Sequence, residues 1–322
     1  MPFRNAYFQM SPAGSHPCHH DVLATIVGNV SSEVPQEKRV AWSGPTVTVV
    51  INSFNQARYL EETVTSVVAQ RSQIHQIIAI DGGSTDGSVP ILQRWSQYFD
   101  YCHSRPDNGQ ADAIRQGFSR ATGDFLYWIN SDDVLLPGAI ERVRSVLAKD
   151  PSLDAITGWQ VFINEQSRIT RVRRVPAESP HWFWWGIEHV SQPACFFRRA
   201  TYEEVGGLDP SLHCTLDTDL WHRMLAANKH WGQARGFLCA FRRHPLAKGS
   251  RLLDEYQREL RLLAERTPQL RRFNPRQMAG LAAYRTQQTI SGQFLRDHIL
   301  SVRWRGRLLG EVFPFQKSPR NE

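Results

Sequence analysis

The sequence predicts an α/β protein built on a mainly parallel sheet with helices on both faces. Two observations carry that prediction. Short apolar, β-branched runs alternate with stretches of helical spacing from Thr46 to Ala148, the pattern of strands buried on both sides by helices. Four of these strands also end in polar or acidic clusters, at Asn52 to Asn55, Asp81 to Gly87, Arg105 to Gly109 and Asn130 to Asp133. Open α/β sheets bind ligands at that carboxyl edge.

Residues 1–44 mix Ser, Pro, His and Gly with little periodicity and read as a mobile leader, with a short helix near Val22 to Val27. His16, His19 and His20 carry metal-ligand chemistry, but no further ligands are spaced to help them. Val47 to Ile51 is the first strand, Tyr59 to Ala69 a helix, Ile74 to Ile80 a strand and Val89 to Tyr98 a helix. Tyr101 to Ser104 is a short strand, Ala111 to Ala121 a helix, Phe125 to Ile129 a strand, and Pro137 to Ala148 a helix opened by proline. Beyond residue 150 come strand-like pieces at Ala155 to Ile163 and Arg168 to Val175, an aromatic cluster from His181 to Trp185, a strand at Ala194 to Phe197 and a helix after Asp217. Leu252, Tyr256, Leu260 and Leu263 have helical spacing, and a second amphipathic stretch runs from Met278 toward Leu309. The organisation is therefore a leader (1–44), a body (45–250) whose halves meet near residue 135, and a helical extension (251–322).

With 322 residues and 41% hydrophobic content the chain has material for a large core. Five widely spaced cysteines without a Cys-x-x-Cys pair suggest neither a disulfide framework nor a zinc site, and fit a reducing compartment. The N-terminus has no basic stretch leading into an apolar run, and no segment approaches the roughly 20 apolar residues that span a bilayer. The expectation is a cytoplasmic protein, free or peripheral at the inner face of the membrane. The net charge of +7 lies in residues 251–322, with 14 Lys or Arg against 7 Asp or Glu; the first 250 residues are neutral. A basic extension behind a neutral body suits an anionic partner such as a membrane surface, and does not look like a nucleic-acid-binding fold; the alternative is an ordinary helix packed on the body with its arginines in water.

Three clusters carry chemistry. The segment Asp81-Gly82-Gly83-Ser84-Thr85-Asp86-Gly87 follows a strand. Its glycines allow close backbone approach and Asp81 can accept from a base N–H or a ribose hydroxyl; the alternative is a turn that only reverses the chain. Ser131-Asp132-Asp133 sets adjacent acids at the end of an apolar strand, where they repel unless a cation lies between them. A divalent ion, magnesium or manganese, would take these oxygens and neutralise a diphosphate; the alternative is a helix cap before Pro137. Asp217 and Asp219 open a helix whose N-terminus favours the ionised carboxylate that a general base requires, and simple capping is again the alternative. Arg243 and His244 follow an apolar strand and offer phosphate and metal contacts, unless they form a solvated loop. Trp182, Trp184 and Trp185 are an acceptor platform, a piece of core, or a lipid-facing surface.

Val49 to Asn55, the segment from Asp81, Gly109 to Ile114, Trp128 to Asp133, Gln192-Pro193-Ala194, Val205 to Asp209 and the Asp217 segment resemble, in their order, glycosyltransferase family 2 over about residues 45–250. The resemblance implies an A-type glycosyltransferase fold with a nucleotide-binding half at about 45–135 and an acceptor half at about 136–250. It implies a nucleotide-sugar donor, usually uridine-linked, a divalent metal, inversion by single displacement, and a glycan or lipid-linked acceptor. On matching positions, Asn52, Phe54, Asn55, Asp81, Gly83, Asp112, Ser131 and Arg243 would meet the donor, and Asp132, with Asp133 and His244, the metal. Asp217 would be the base; Trp184, Trp185, Gln192 and Asp219 would face the acceptor. Three positions depart from the common pattern. Asn130 stands where many relatives have an acid, Leu216 where a Glu is common, and Arg115-Gln116-Gly117 where an Asn-Lys-Gly is frequent. A catalytically impaired relative that only binds nucleotide sugar is one alternative. A sugar nucleotidyltransferase is disfavoured because Asn52 to Arg58 lacks glycine, and neither a dinucleotide-binding nor a Walker motif is present.

Overall fold

The computed structural model describes residues 44–175, 180–185, 187, 190–267 and 275–315. The leader, with its short helix near Val22 and its three histidines, lies outside the described residues.

The first half is a regular alternation of β1 (Val47–Ser53), α1 (Ala57–Val68), β2 (Gln76–Asp81), α2 (Ser88–Arg94), β3 (Tyr101–Ser104), α3 (Gln110–Phe118) and β4 (Phe125–Asn130). Its four strands pair in parallel in the order β3-β2-β1-β4. Successive residues of a strand face opposite sides, so Val49 and Ile51 meet α1 in one core cluster while Val50 meets Ile114 and Phe118 of α3 in another. The helix expected up to Tyr98 stops at Arg94 and resumes as a 3₁₀ turn over Ser96–Tyr98. Trp95, at the break, donates its ring N–H to Glu61.

The second half contains β5 (Val134–Leu135), α4 (Ala139–Lys149), β6 (Ala155–Ile163), β7 (Ile169–Arg173), α5 (Pro180–Trp184), β8 (Cys195–Arg198), α6 (Arg199–Glu204), α7 (Leu216–Ala226) and β9 (Trp231–Arg242). The sheet continues β4-β8-β6-β9-β5, with β7 on the same edge of β6 as β8, farther along the strand. Here β6 and β9 pair in parallel and β4-β8, β8-β6, β9-β5 and β6-β7 are antiparallel. The parallel character thus belongs to the first four strands and to one pair of the second half.

The C-terminal helices α8 (Lys248–Arg251), α9 (Leu253–Arg266), α10 (Pro275–Ile290), α11 (Gln293–Trp304) and α12 (Leu309–Val312) are built into the body; they are not a free arm. Val172 N–H donates to Ser301 Oγ (3.1 Å) and Arg174 N–H to Asp297 Oδ2 (3.1 Å). The match is geometric, because four helical residues rise about 6.0 Å and two strand residues about 6.6 Å. In this way α11 satisfies the open edge of β7, which would otherwise be a template for another strand. After α11 the chain pairs with Ile169 through Gly306 and Arg307, and Leu309 is buried with Val134 and Val161. Among the described residues no helix is long and apolar enough to cross a membrane.

The tightest contact under α3 is at Gly117, where a Cβ would lie 2.5 Å from Val50 Cγ1. Gly117→Ala is expected to destabilise the fold by about 1–3 kcal/mol through overpacking, seen as a lower urea midpoint with an unchanged slope. An unaltered midpoint would contradict this packing.

Candidate active site

Parallel pairing puts Asn52 and Asn130 side by side where β1 and β4 end. Asn52 Nδ2 donates to Asn130 Oδ1 (3.3 Å), which also accepts from Gln110 Nε2 (2.7 Å). Asn130 Nδ2 donates to Gln192 Oε1 (3.1 Å), and Gln192 Nε2 donates to the carbonyl of Trp128 (2.8 Å). Gln110 Oε1 accepts from Lys248 Nζ (3.0 Å). The amide of Asn130 therefore ties together β1, α3, β4, the turn at Gln192 and α8. Lys248 also feels Asp217, the second residue of α7. Burial lowers the Lys248 pKa, while the charges of Cys214, Glu259 and Asp217 oppose that shift. Asp217 is half-buried and its Oδ1 accepts the Thr218 N–H at 2.8 Å.

Beside this network, His244 Nε2 donates to Asp132 Oδ2 at 3.0 Å. The imidazole is buried against the ring of Tyr59, with centroids 4.9 Å apart, while the Asp132 carboxylate keeps some exposure. His244 Nδ1 is buried without a hydrogen-bond partner, as are Asn52 Oδ1 and Ser53 Oγ. Such groups are rare in protein interiors. Two are at the end of β1 and one is beside Asp132, on the edge at which open α/β sheets in general bind ligands. Among the described residues no group of three or more His, Cys, Asp or Glu is placed to hold a metal, so Asp132 and His244 form a two-residue donor set. Ser131, between Asn130 and Asp132, is buried.

The loop after β2 is the third part. Asp81 is fully buried and accepts from the amides of Gly83 (3.1 Å) and Ser84 (2.8 Å) and from the hydroxyls of Ser84 (2.5 Å) and Ser104 (2.7 Å). Its carboxylate shapes the loop and is not presented to solvent. Gly83, at φ +83°, lies against Pro106, where a Cβ would come within 3.0 Å of the backbone nitrogen. Asn55 (φ +52°) accepts the Thr85 amide on its side chain and donates its own amide to Ser84 Oγ, both at 2.8 Å. That linkage leaves Phe54 61% exposed beside the loop. Asp86 accepts the first amides of both α1 and α2, from Ala57 (2.8 Å) and Ser88 (3.1 Å), and although burial works against it these bonds lower its pKa.

Residues 48–206 match the family model described as glycosyl transferase family 2. That segment belongs to this family. An uncharacterized glycosyltransferase of Mycobacterium tuberculosis is 35% identical over 171 residues, which cover 52% of this chain and 64% of that protein. The chain thus spans less than two thirds of that relative's length. The poly-beta-1,6-N-acetyl-D-glucosamine synthase of Staphylococcus aureus is 23% identical over 131 residues, covering 40% of this chain and 32% of that one. Among solved structures, S. aureus TarS residues 1–349 in complex with UDP-GlcNAc superposes with a TM-score of 0.54 at 15% identity, covering 68% of this chain and 66% of that chain. That likeness concerns the fold, the A-type fold that the motifs imply.

Several motif positions are held by partners of their own. Asp133 is fully buried: its Oδ1 accepts the Arg242 amide at 2.9 Å and its Oδ2 accepts from Asn130 Nδ2 at 3.5 Å, and burial with the neighbouring Asp132 charge pushes its carboxyl well above the ordinary range. It does not stand with Asp132 and His244. Arg243 lies over the ring of Phe162 at 4.8 Å, on the opposite side of β9 from Arg242 and His244, because side chains alternate along an extended chain. Asp219 is buried and paired with Arg223 (2.7 Å) and Arg266 (3.5 Å). Trp184 packs beside Phe183 in the core, and Trp185 lies under α10, with its Cβ against Gly280 and Arg276 over its ring. Both tryptophans thus make packing contacts. Asp112, in the first turn of α3, accepts from Asn108 and Gln116.

Residues outside the sequence expectation complete the arrangement. Lys248 and Gln110 join the network above, and only Gln110 lay within a quoted motif. Glu259 of α9 is 1% exposed and accepts the amides of His213 (2.7 Å), Cys214 (2.9 Å) and Thr215 (2.9 Å) and the Thr215 hydroxyl (2.9 Å). It fixes the turn that feeds Asp217 into α7. Burial raises its pKa, but the bonds from those three amides outweigh this and the net shift is downward. A carboxylate with a lowered folded pKa stabilises above its unfolded pKa, and the contribution is lost as pH falls through the folded value. Glu259→Gln is expected to cost about 1.5–3 kcal/mol at neutral pH, with the gap to wild type closing in acid; an equal gap at every pH would contradict the role.

Proposed function

We propose that the chain is an inverting glycosyltransferase that moves a sugar from a nucleoside diphosphate to an acceptor hydroxyl. The observation that carries this reading is the convergence of Asp132, His244, Lys248 and the Asn130 amide network at one sheet edge, with Asp217 within electrostatic reach of Lys248. The loop Asp81 to Gly87 and the exposed ring of Phe54 receive the nucleobase and ribose, the ring by stacking. The cationic Lys248 faces the departing diphosphate. Asp217, at a helix N-terminus that favours its ionised form, takes the proton of the acceptor hydroxyl as that oxygen attacks the anomeric carbon. The bond from that carbon to the diphosphate oxygen breaks on the opposite face, which inverts the centre.

Asp132 and His244 suit a hard or borderline divalent cation, magnesium or manganese, with the remaining positions left to phosphate oxygens and water. Bound there, the ion would neutralise charge on the leaving group. The buried His244 ring, held against Tyr59, keeps its Nε2 aimed at Asp132.

The donor base and the acceptor are the finer part of the reading. TarS was crystallised with UDP-GlcNAc and one relative is named a poly-N-acetylglucosamine synthase, so a uridine-linked donor and a cell-surface glycan acceptor are the first to test. Asp217→Asn is expected to keep donor binding by calorimetry and to lower transfer by about 10²- to 10⁴-fold; undiminished turnover would remove Asp217 as the base. Asp132→Ala is expected to abolish the manganese dependence of donor-induced thermal stabilisation. A wild-type chain that binds the donor but never releases nucleoside diphosphate would be the impaired relative.

A further inference from the structure

The outer face of α11 is apolar and uncovered. Its inner face is fully engaged, with Asp297 and Ser301 on the β7 backbone and Leu300 and Trp304 against the third core cluster. At about 100° per residue, Leu295, Ile299 and Val302 fall together on the opposite pole, 63%, 53% and 58% exposed. Arg296 and Arg303 flank that stripe on one side, and Phe294 and His298 on the other. Phe294 and His298 also line a cavity of about 540 Å³ between α11 and β7, walled by Arg171, Arg174, Arg243 and Arg305. Asp297 is the only acid among the lining residues, and it is paired with Arg174.

We infer that this face is a membrane-docking surface for an anionic phospholipid bilayer, with the apolar stripe entering the headgroup–acyl boundary and the arginine-walled cavity receiving lipid phosphate. Charge selects this occupant. Residues 293–307 carry Arg296, Arg303, Arg305 and Arg307 against Asp297 alone, so two copies meeting on this face would repel, whereas a surface of lipid phosphates attracts it. A helix with one apolar pole flanked by arginines lies in the plane of an interface and does not span it. The surface is formed by residues separate from the Asn130 network, and the inference does not rest on the reaction proposed above.

The test is co-sedimentation of the full chain with vesicles of phosphatidylcholine alone and of phosphatidylglycerol with phosphatidylcholine. Binding to the anionic vesicles is expected to be at least about ten-fold tighter, to weaken with salt, and to fall by about five-fold for each of Arg296→Glu and Arg303→Glu. Ile299→Glu with Val302→Glu, on a solvent-exposed face, is expected to abolish it while the thermal midpoint is retained. Failure of the wild-type chain to bind anionic vesicles would overturn the inference. So would binding that both sets of variants leave intact, or a stripe whose loss only dissociates a dimer in sedimentation velocity.

Discussion

A buried guanidinium cannot shed its charge, so every donor it carries has to find an acceptor, and the site of this protein is organised around one such group. Arg242 is 1% exposed. Its donors reach the carbonyls of Asp132 and Asn164, the hydroxyl of Ser167 and the carboxylate of Glu62. Its backbone amide reaches Asp133. One side chain therefore fastens the loop after β4 to the end of β9 and to α1. The period of two along the extended chain then brings His244 to the side on which Arg242 lies, opposite Asp132. The pairing of Asp132 with His244 is a consequence of satisfying Arg242.

A second constraint acts from the C-terminal side. The carboxylate of Glu259 lies in a nest of three consecutive amides, where an ionised acceptor is strongly favoured. Through it, α9 holds the turn before α7 and sets where Asp217 begins its helix. Further along the same segment, α11 supplies Ser301 and Asp297 to the edge of β7. The helices after residue 250 thus complete the sheet and the site with their inner faces, and the outer pole of α11 is what they leave to solvent.

Much of the fold was legible because it follows from local periodicity. The strands at Val47–Ser53, Gln76–Asp81 and Phe125–Asn130 are visible as largely apolar runs, since burial on both faces favours apolar side chains. The polar clusters at the strand ends were legible for a related reason: in a parallel sheet the carboxyl ends share one edge, so chemistry-bearing residues at four separate places must face one region. Order along the chain thereby located Asn52, Asn130, Asp132 and the loop after Asp81, and the family motifs follow that order.

The roles within those clusters were not legible, because which way a side chain points depends on partners distant in sequence. Asp133 and Asp132 are neighbours, yet one is drawn inward by Arg242 and the other is left to His244. Asp217 and Asp219 share a helix turn, but Arg223 and Arg266 capture the second. Lys248 and Glu259 carry no local signal, and they matter only once α8 and α9 fold back onto the Asn130 network and the turn before α7. Sequence alone determined the layers, the edge at which the polar clusters gather and the family motifs. Tertiary structure decided which charges are paired away and which remain for chemistry, since burial and pairing are properties of the assembled interior.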